Sequence, residues 1–302
     1  MTEQVLDDFE ELNYSANPLG PSSRSCCKVT VGNVCGSGSI VGERNGKTLV
    51  LTNSHVAGTQ IGRKVICTFP FLQNRVVPAR IIMAAYSDRI LMDWAVLECE
   101  TKVDLPIVKL SNTAPTGEHY TGGYPRCQGP RFQRLVTRSF TNNGTMWRWQ
   151  PNSIGGQSGS GVHSFSDNKQ RGLLTWSVGN DGAGQTTRSI WMQYAQRAEI
   201  GFPRPNDLIE LADERSETEN GFHYEANITT LPIWAELEND PRPDDPVPDD
   251  PVNPSVVQEI LASSSRLRAE ADRLAELARK YGAKPESDPG RVEPPSGGTF
   301  GL

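Results

Sequence analysis

The chain has no apolar run near the ~18 residues that a bilayer-spanning helix requires, which excludes an integral helical membrane protein. Its amino terminus is acidic, with Glu3, Asp7, Asp8, Glu10 and Glu11, and lacks the basic start and short apolar stretch of a secretion signal. A cytoplasmic protein is therefore expected, with a viral or particle-associated origin left open. Cysteine is sparse: six in 302 residues are too few for a disulfide scaffold, and in a reducing compartment all six are expected as free thiols. No C-x-x-C pair occurs and the four histidines, His55, His119, His163 and His223, are scattered, so neither a metal nor a cofactor is expected. The basic residues are dispersed and not interleaved with aromatics, which disfavours nucleic acid as a partner.

What is present excludes wholesale disorder. A 302-residue chain that is 36% hydrophobic can bury a sizeable core, and 28 glycines with 22 prolines imply many turns. Charge is uneven. Residues 20–200 carry 20 Lys and Arg against 10 Asp and Glu, so with a net charge of -6 the flanks together carry -16. The plain reading is a soluble basic domain between solvated acidic flanks; the sharper one is a basic domain that attracts an anionic partner or its own acidic tail.

Five organisational segments follow. Residues 1–25 form an acidic amino-terminal extension. Residues 26–212 hold short β-rich runs separated by Gly, Asn and Pro: Val29–Val31, Thr48–Thr52, Lys64–Phe69, Ala95–Cys99 and Gly172–Trp176. Runs of this length predict an all-β sandwich or pair of barrels, with short helices only near Ile190–Ala198 or Asp207–Ala212. Residues 213–254 form an acidic, proline-rich linker whose last part, Glu238 to Pro254, is an extended and self-repelling spacer. Residues 255–282 form an amphipathic helix. Ser255 and Gln258 make a capping box, and Val257, Ser264, Ala271 and Ala278 share one face with Ile260, Leu267, Leu274 and Tyr281. That face suits either a coiled-coil homo-oligomer or docking on the protein's own surface. Residues 283–302 are expected to be a disordered tail.

Three segments carry chemistry. Leu49–Val56 ends a strand in Thr52-Asn53-Ser54-His55; Leu91–Leu97 places Asp93 directly before an apolar strand; Gly155–Val162 surrounds Ser158 with glycines. Alone, each has an ordinary structural explanation, since glycine-serine turns are common and an Asp before a strand is often a turn cap. Together they supply what a serine nucleophile needs, a base and an acid to orient that base, in the order His, Asp, Ser used by one of the convergent triad designs.

With these motifs the sequence resembles the chymotrypsin-like (trypsin-fold) serine peptidases, nearest to short Deg-type or viral-type members, over about residues 27–200. The resemblance implies two packed antiparallel β-barrels with His55 as general base and Asp93 as its partner from the first, and Ser158 as nucleophile from the second. It implies an oxyanion hole from the N–H groups of Gly156 and Ser158. Thr175, Trp176 and Ser177 match the strand that pairs with substrate backbone, Tyr124-Pro125 matches the opening of the second barrel, and Asn152 matches the base of the primary pocket. A neutral Asn152 argues against Arg or Lys selection unless Asp181 supplies a charge. His163, five residues after Ser158, is read as structural. Two departures matter. Val56 stands where secreted members follow the histidine with cysteine, leaving Cys35 without its usual partner. Gln157 replaces the acid that pairs with a freed amino terminus on zymogen activation, so the site is expected to form in the intact chain or on assembly.

The implied activity is a serine endopeptidase acting on protein or peptide substrates. Two alternatives stay open: a protease-fold assembly protein with an idle cleft, and a peptidase that cuts itself or one partner, with Asp213 to Glu238 as the candidate region.

Overall fold

The computed structural model describes residues 14–87, 91–141, 146–196, 210–211, 221–225, 231–234 and 237. Its first half contains β1 (Cys26–Val31), β2 (Val34–Arg44), β3 (Lys47–Thr52), the single turn α1 (Ser54–Ala57), β4 (Lys64–Phe69), β5 (Arg75–Ser87) and β6 (Met92–Cys99). Antiparallel pairing runs β5-β4-β1-β2-β3-β6 and closes through β5–β6 into a six-stranded barrel. The second half contains β7 (Glu118–Gly123), β8 (Arg131–Thr141), β9 (Met146–Gln150), β10 (Gly161–Ser164), β11 (Gln170–Val178), β12 (Asp181–Thr186) and the helix α2 (Thr187–Gln196). These strands pair in the order β10-β7-β8-β9-β12-β11 and close through β10–β11. The expected two barrels are thus both present, and each of the five apolar runs lies inside a strand.

The runs are continuous because these strands are buried on both faces. Val50 of β3 joins Val29, Ile40, Val65, Ile81 and Leu97, a cluster to which all six strands of the first ring contribute and which is therefore the barrel interior. Its neighbours Leu49 and Leu51 point the other way, into a cluster with Ile82, Trp94, Leu173, Ile190 and Trp234. The second interior is built from Leu135, Trp147, Trp149, Val162 and Leu174. Removing this apolar surface from water at roughly 25 cal/mol per Å² is the main term favouring closure of both rings.

Several expectations are corrected. Cys35 and Cys127, 92 residues apart, form a disulfide with Cα atoms 6.0 Å apart, so two of the six cysteines are not free thiols. Docking of the barrels brings the β2 strand beside the turn after Tyr124, a proximity that sequence spacing does not reveal. Cys26, Cys27, Cys67 and Cys99 are free and buried, and burial pushes the Cys26 thiol up to about 12.

The packed region also exceeds residues 26–212. At the amino-terminal side Ser15 pairs with Phe132 of β8, and a 3₁₀ turn spans Pro21–Ser25. At the other end, two strands extend the rings: β13 (Glu210–Leu211) pairs with β11, and β14 (Gly221–Tyr224) pairs with β5. Of the two places at which a short helix was expected, Ile190–Ala198 is overlapped by α2, whereas Glu210–Leu211 within Asp207–Ala212 is strand. Within the expected linker, Leu231, Ile233, Trp234 and Leu237 are buried against the first barrel, and Trp234 meets Trp94 edge-on with ring centroids 6.0 Å apart. These apolar side chains are the reason the segment packs. The spacer from Glu238, the helix at 255–282 and the tail at 283–302 lie outside the described residues. Among the described residues, no helix is long and apolar enough to cross a membrane.

Candidate active site

His55 lies in α1, the single turn that follows β3, and is completely buried. The turn is fixed from below: Ser54 Oγ donates to the carbonyls of both Ala85 (3.0 Å) and Trp94 (2.7 Å), which straddle the β5–β6 pair. Asp93, 1% exposed on β6, meets this histidine twice. Oδ1 accepts the His55 backbone N–H at 3.0 Å, and Oδ2 lies 2.6 Å from Nδ1 of the ring. A carboxylate can only accept here, so Nδ1 carries the proton and Nε2 presents its lone pair. Without these donors, burial of the Asp93 charge would cost several kcal/mol. The fold thus brings His55 and Asp93 into hydrogen-bond contact.

Asp93 is also held by its main chain, through residues that the sequence reading did not single out. Its N–H donates to Gln185 Oε1 of β12 at 2.8 Å; Gln185 Nε2 donates to Gln193 Oε1 of α2 at 3.2 Å, which also accepts the Trp94 indole N–H at 2.9 Å. On the other side Asn53 Nδ2 donates to the Asp93 carbonyl (2.7 Å) and to Thr175 Oγ1 of β11 (3.0 Å). Residues of the second barrel thus brace the acid of the first. Glutamine on a strand or helix carries no motif, so this brace is visible only once the chain is folded.

Two consecutive turns, 154–157 and 157–160, shape this segment, and Ser158 lies in the second. Gln157 N–H bonds Ile154 O (3.0 Å), and Ser160 N–H bonds Gln157 O (3.0 Å). The third residue of each turn is a glycine with positive φ, Gly156 at +90° and Gly159 at +87°, as type II turns require. Space forbids substitution as well: a Cβ on Gly156 would lie 2.4 Å from Tyr124 O, and one on Gly159 would lie 2.1 Å from Ser37 O. The turns' internal bonds use the N–H groups of Gln157 and Ser160, and Gly159 N–H donates to Leu174 O of β11 at 2.9 Å, leaving the N–H groups of Gly156 and Ser158 out of these bonds.

Ser37 of β2 joins this turn to the first barrel. Its N–H donates to Ser158 O (2.7 Å), and its hydroxyl donates to Gly156 O (2.9 Å) while accepting Tyr124 N–H (3.0 Å). The Ser158 carbonyl is consequently 2.8 Å from a Cβ built on Gly36, which would also strike Val56, the residue after His55. Ser158 Oγ and His55 Nε2 are both buried and without a hydrogen-bond partner. Each keeps its full bonding capacity at the seam of the barrels, and such bonds are often formed only in the substrate complex.

The other singled-out residues are placed as follows. Asn152 Nδ2 donates to Gly179 O at 3.3 Å, and its Oδ1 accepts Ser153 N–H at 2.7 Å. Thr175 is buried under Asn53, Trp176 packs with Met146, Val178 and Ala183, and Ser177 is half-buried. Asp181 is occupied by Arg148 at 3.1 Å and Gln150 Nε2 at 2.9 Å. His163 is buried on β10 with its ring centroid 5.2 Å from that of Tyr120, and burial holds its imidazole down to about 3.

Residues 36–173 match the family model of the trypsin-like peptidase domain. No curated protein matches. Similar solved structures include an inactivated protease paralogue of the scabies mite (14% identity, 61% of this chain and 97% of that chain, TM-score 0.49). A human pathogenic astrovirus serine protease is 15% identical over 55% of this chain and 91% of its own, with a TM-score of 0.43. A serine endoprotease of Yersinia pestis is 17% identical over 58% of this chain and 63% of its own, with a TM-score of 0.46. From the family match and the two closed six-stranded rings, the chain carries a trypsin-like peptidase domain of chymotrypsin fold.

Proposed function

We propose that the chain is a serine endopeptidase that hydrolyses peptide bonds through His55, Asp93 and Ser158. The observation that carries this reading is the buried His55–Asp93 pair, with Nδ1 at 2.6 Å from the carboxylate, while His55 Nε2 and Ser158 Oγ are both buried with no hydrogen-bond partner. Ser158 Oγ attacks the carbonyl carbon of the scissile bond as His55 Nε2 takes its proton; Asp93 steadies the imidazolium; the leaving amine takes that proton back; and water releases the acyl group. The N–H groups of Gly156 and Ser158 receive the developing oxyanion, an interaction worth about 3–4 kcal/mol per donor in comparable sites.

Asn152 forms a neutral floor for the primary pocket, and Ser177 and Gly179 line it. Asp181 is already neutralised by Arg148, so an Arg or Lys side chain would find no free counter-charge, and uncharged residues are preferred. Ser158→Ala is expected to abolish labelling by a fluorophosphonate probe and to lower peptide cleavage by about a millionfold. Labelling of that variant at the wild-type rate would exclude Ser158 as the nucleophile.

A further inference from the structure

Three strands of the second barrel, β11, β12 and β9, lie side by side, and one row of residues crosses all three. Ser177 stands opposite Gly182, and Gly182 stands opposite Trp149. Directly opposite residues of antiparallel strands share a face, so Ser177, Gly182 and Trp149 look the same way. The chain that leaves β9 crosses that face on its way to Ser158. Its Asn152 donates to Gly179 O, in the turn between β11 and β12, at 3.3 Å, and its Ser153 Oγ donates to Trp176 O at 3.1 Å.

The middle member of the row has no side chain, and two polar atoms converge on the space this leaves. A Cβ built on Gly182 would lie 2.4 Å from Trp149 Nε1 and 2.9 Å from Ser153 Oγ. Their bonding capacities are complementary. Trp149 is completely buried, and its indole N–H, which can only donate, has no hydrogen-bond partner among the described residues. Ser153 has its one proton committed to Trp176 O and keeps lone pairs to offer. A buried tryptophan N–H ordinarily finds an acceptor, so the niche calls for a group that accepts on one side and donates on the other. That group is neutral as well, because the adjacent charges, Arg148 and Asp181, are paired with each other at 3.1 Å.

We propose that Trp149 Nε1 and Ser153 Oγ read a side-chain carboxamide, so that the chain cuts after glutamine or asparagine. The inference rests on the peptidase reading above and narrows its preference for uncharged residues to one functional group. The carboxamide oxygen accepts the Trp149 N–H and its NH₂ donates to Ser153 Oγ, while Gly182 leaves room for the planar group. Each alternative fails on one count. A carboxylate accepts from Trp149 but has no proton for Ser153, and it brings a charge among neutral groups. Lysine and arginine only donate and leave Trp149 unpaired. Leucine leaves both atoms unpaired, and a site built to hydrogen-bond its substrate rejects an analogue that cannot do so.

The test uses the full-length protein and a set of fluorogenic peptides that differ only in the residue before the cut: Gln, Asn, Leu, Glu or Lys. Wild type is expected to turn over the Gln or the Asn peptide with a kcat/KM at least about tenfold above the other three, the worth of a hydrogen bond that those residues cannot complete. Trp149→Phe keeps an aromatic ring but removes the N–H, and should shrink the carboxamide-to-leucine ratio about tenfold. Gly182→Ala puts a methyl group where the carboxamide would lie and should lower turnover of both carboxamide peptides by a similar factor. Fluorophosphonate labelling of Ser158, which needs no such side chain, reports whether each protein is folded and competent, and the wild-type profile decides without either variant. Wild type that labels but shows no such preference would overturn the carboxamide niche alone; wild type that neither labels nor cuts any peptide would overturn the peptidase reading itself. Trp149→Phe that labels and keeps the wild-type ratio would remove the role given to the indole.

Discussion

At the scale of single residues, the triad candidates were legible because each sits in a short segment with a local peculiarity: a histidine at a strand end, an acid before an apolar strand, a serine among glycines. Their supports were not. Asn53, Gln185 and Gln193 act across long separations and have no pattern of their own. Tyr14 is a further case. Gln157 stands where the resemblance places the activation acid, and its Oε1 accepts both the Ile154 N–H (2.8 Å) and, 143 residues away, the Tyr14 hydroxyl (3.2 Å). The amino-terminal segment therefore holds the residue next to the nucleophile by a neutral hydrogen bond that needs no prior cleavage. Tyr14→Phe is expected to lower the acylation rate about fivefold, the worth of one such bond, with KM and melting temperature nearly unchanged. Stopped-flow acylation and calorimetry check it, and an unchanged acylation rate would make the contact incidental.

At the scale of elements, the long strands were readable from their β-rich runs, because burial on both faces leaves continuous apolar stretches. The two-residue β13 was not, since two residues show no periodicity, and it lies within one of the two segments offered as alternatives for a short helix. The β7 and β10 strands hold two buried histidines whose burial has a cost in acid. Desolvation lowers His119 to about 4, partly opposed by a bond to the Gly117 carbonyl, and lowers His163 to about 3, with His119 adding to the effect. An unfolded histidine titrates near 6.5. Below that pH the unfolded chain binds protons that the folded barrel refuses, so stability falls as pH drops from about 6.5 towards 4 for His119 and 3 for His163. Each contributes a slope of about 1.4 kcal/mol per pH unit in that window. Replacing His163 by glutamine should remove about half of the histidine-linked slope in urea unfolding between pH 6 and 4. An unaltered slope would assign acid lability elsewhere.

At the scale of the whole molecule, composition located the basic body and its acidic flanks but misplaced the border between them. Glu225 follows β14 and reaches Arg80 at 3.2 Å, beside the ion pairs of Glu98 with Arg44 and Arg80 on the outside of the first barrel. Trp234 lies between Trp94 and Trp191, with ring centroids 6.0 Å from each, and Trp94 is the neighbour of Asp93. A segment rich in acid and proline can still be structural when it delivers a few large apolar side chains to a waiting surface. Trp234→Ala is expected to cost about 3–5 kcal/mol of stability and to lower the thermal midpoint measured by circular dichroism, whereas an unshifted midpoint would show the segment to be ornamental.

The placement of β14 and Trp234 bears on what severance would mean for this protein. Both lie beyond β13 yet belong to the first barrel's sheet and core. A break in the backbone between Leu211 and Gly221 would therefore not liberate two independent fragments. It would leave a nicked assembly, its two sides clasped by strand pairing and tryptophan contacts.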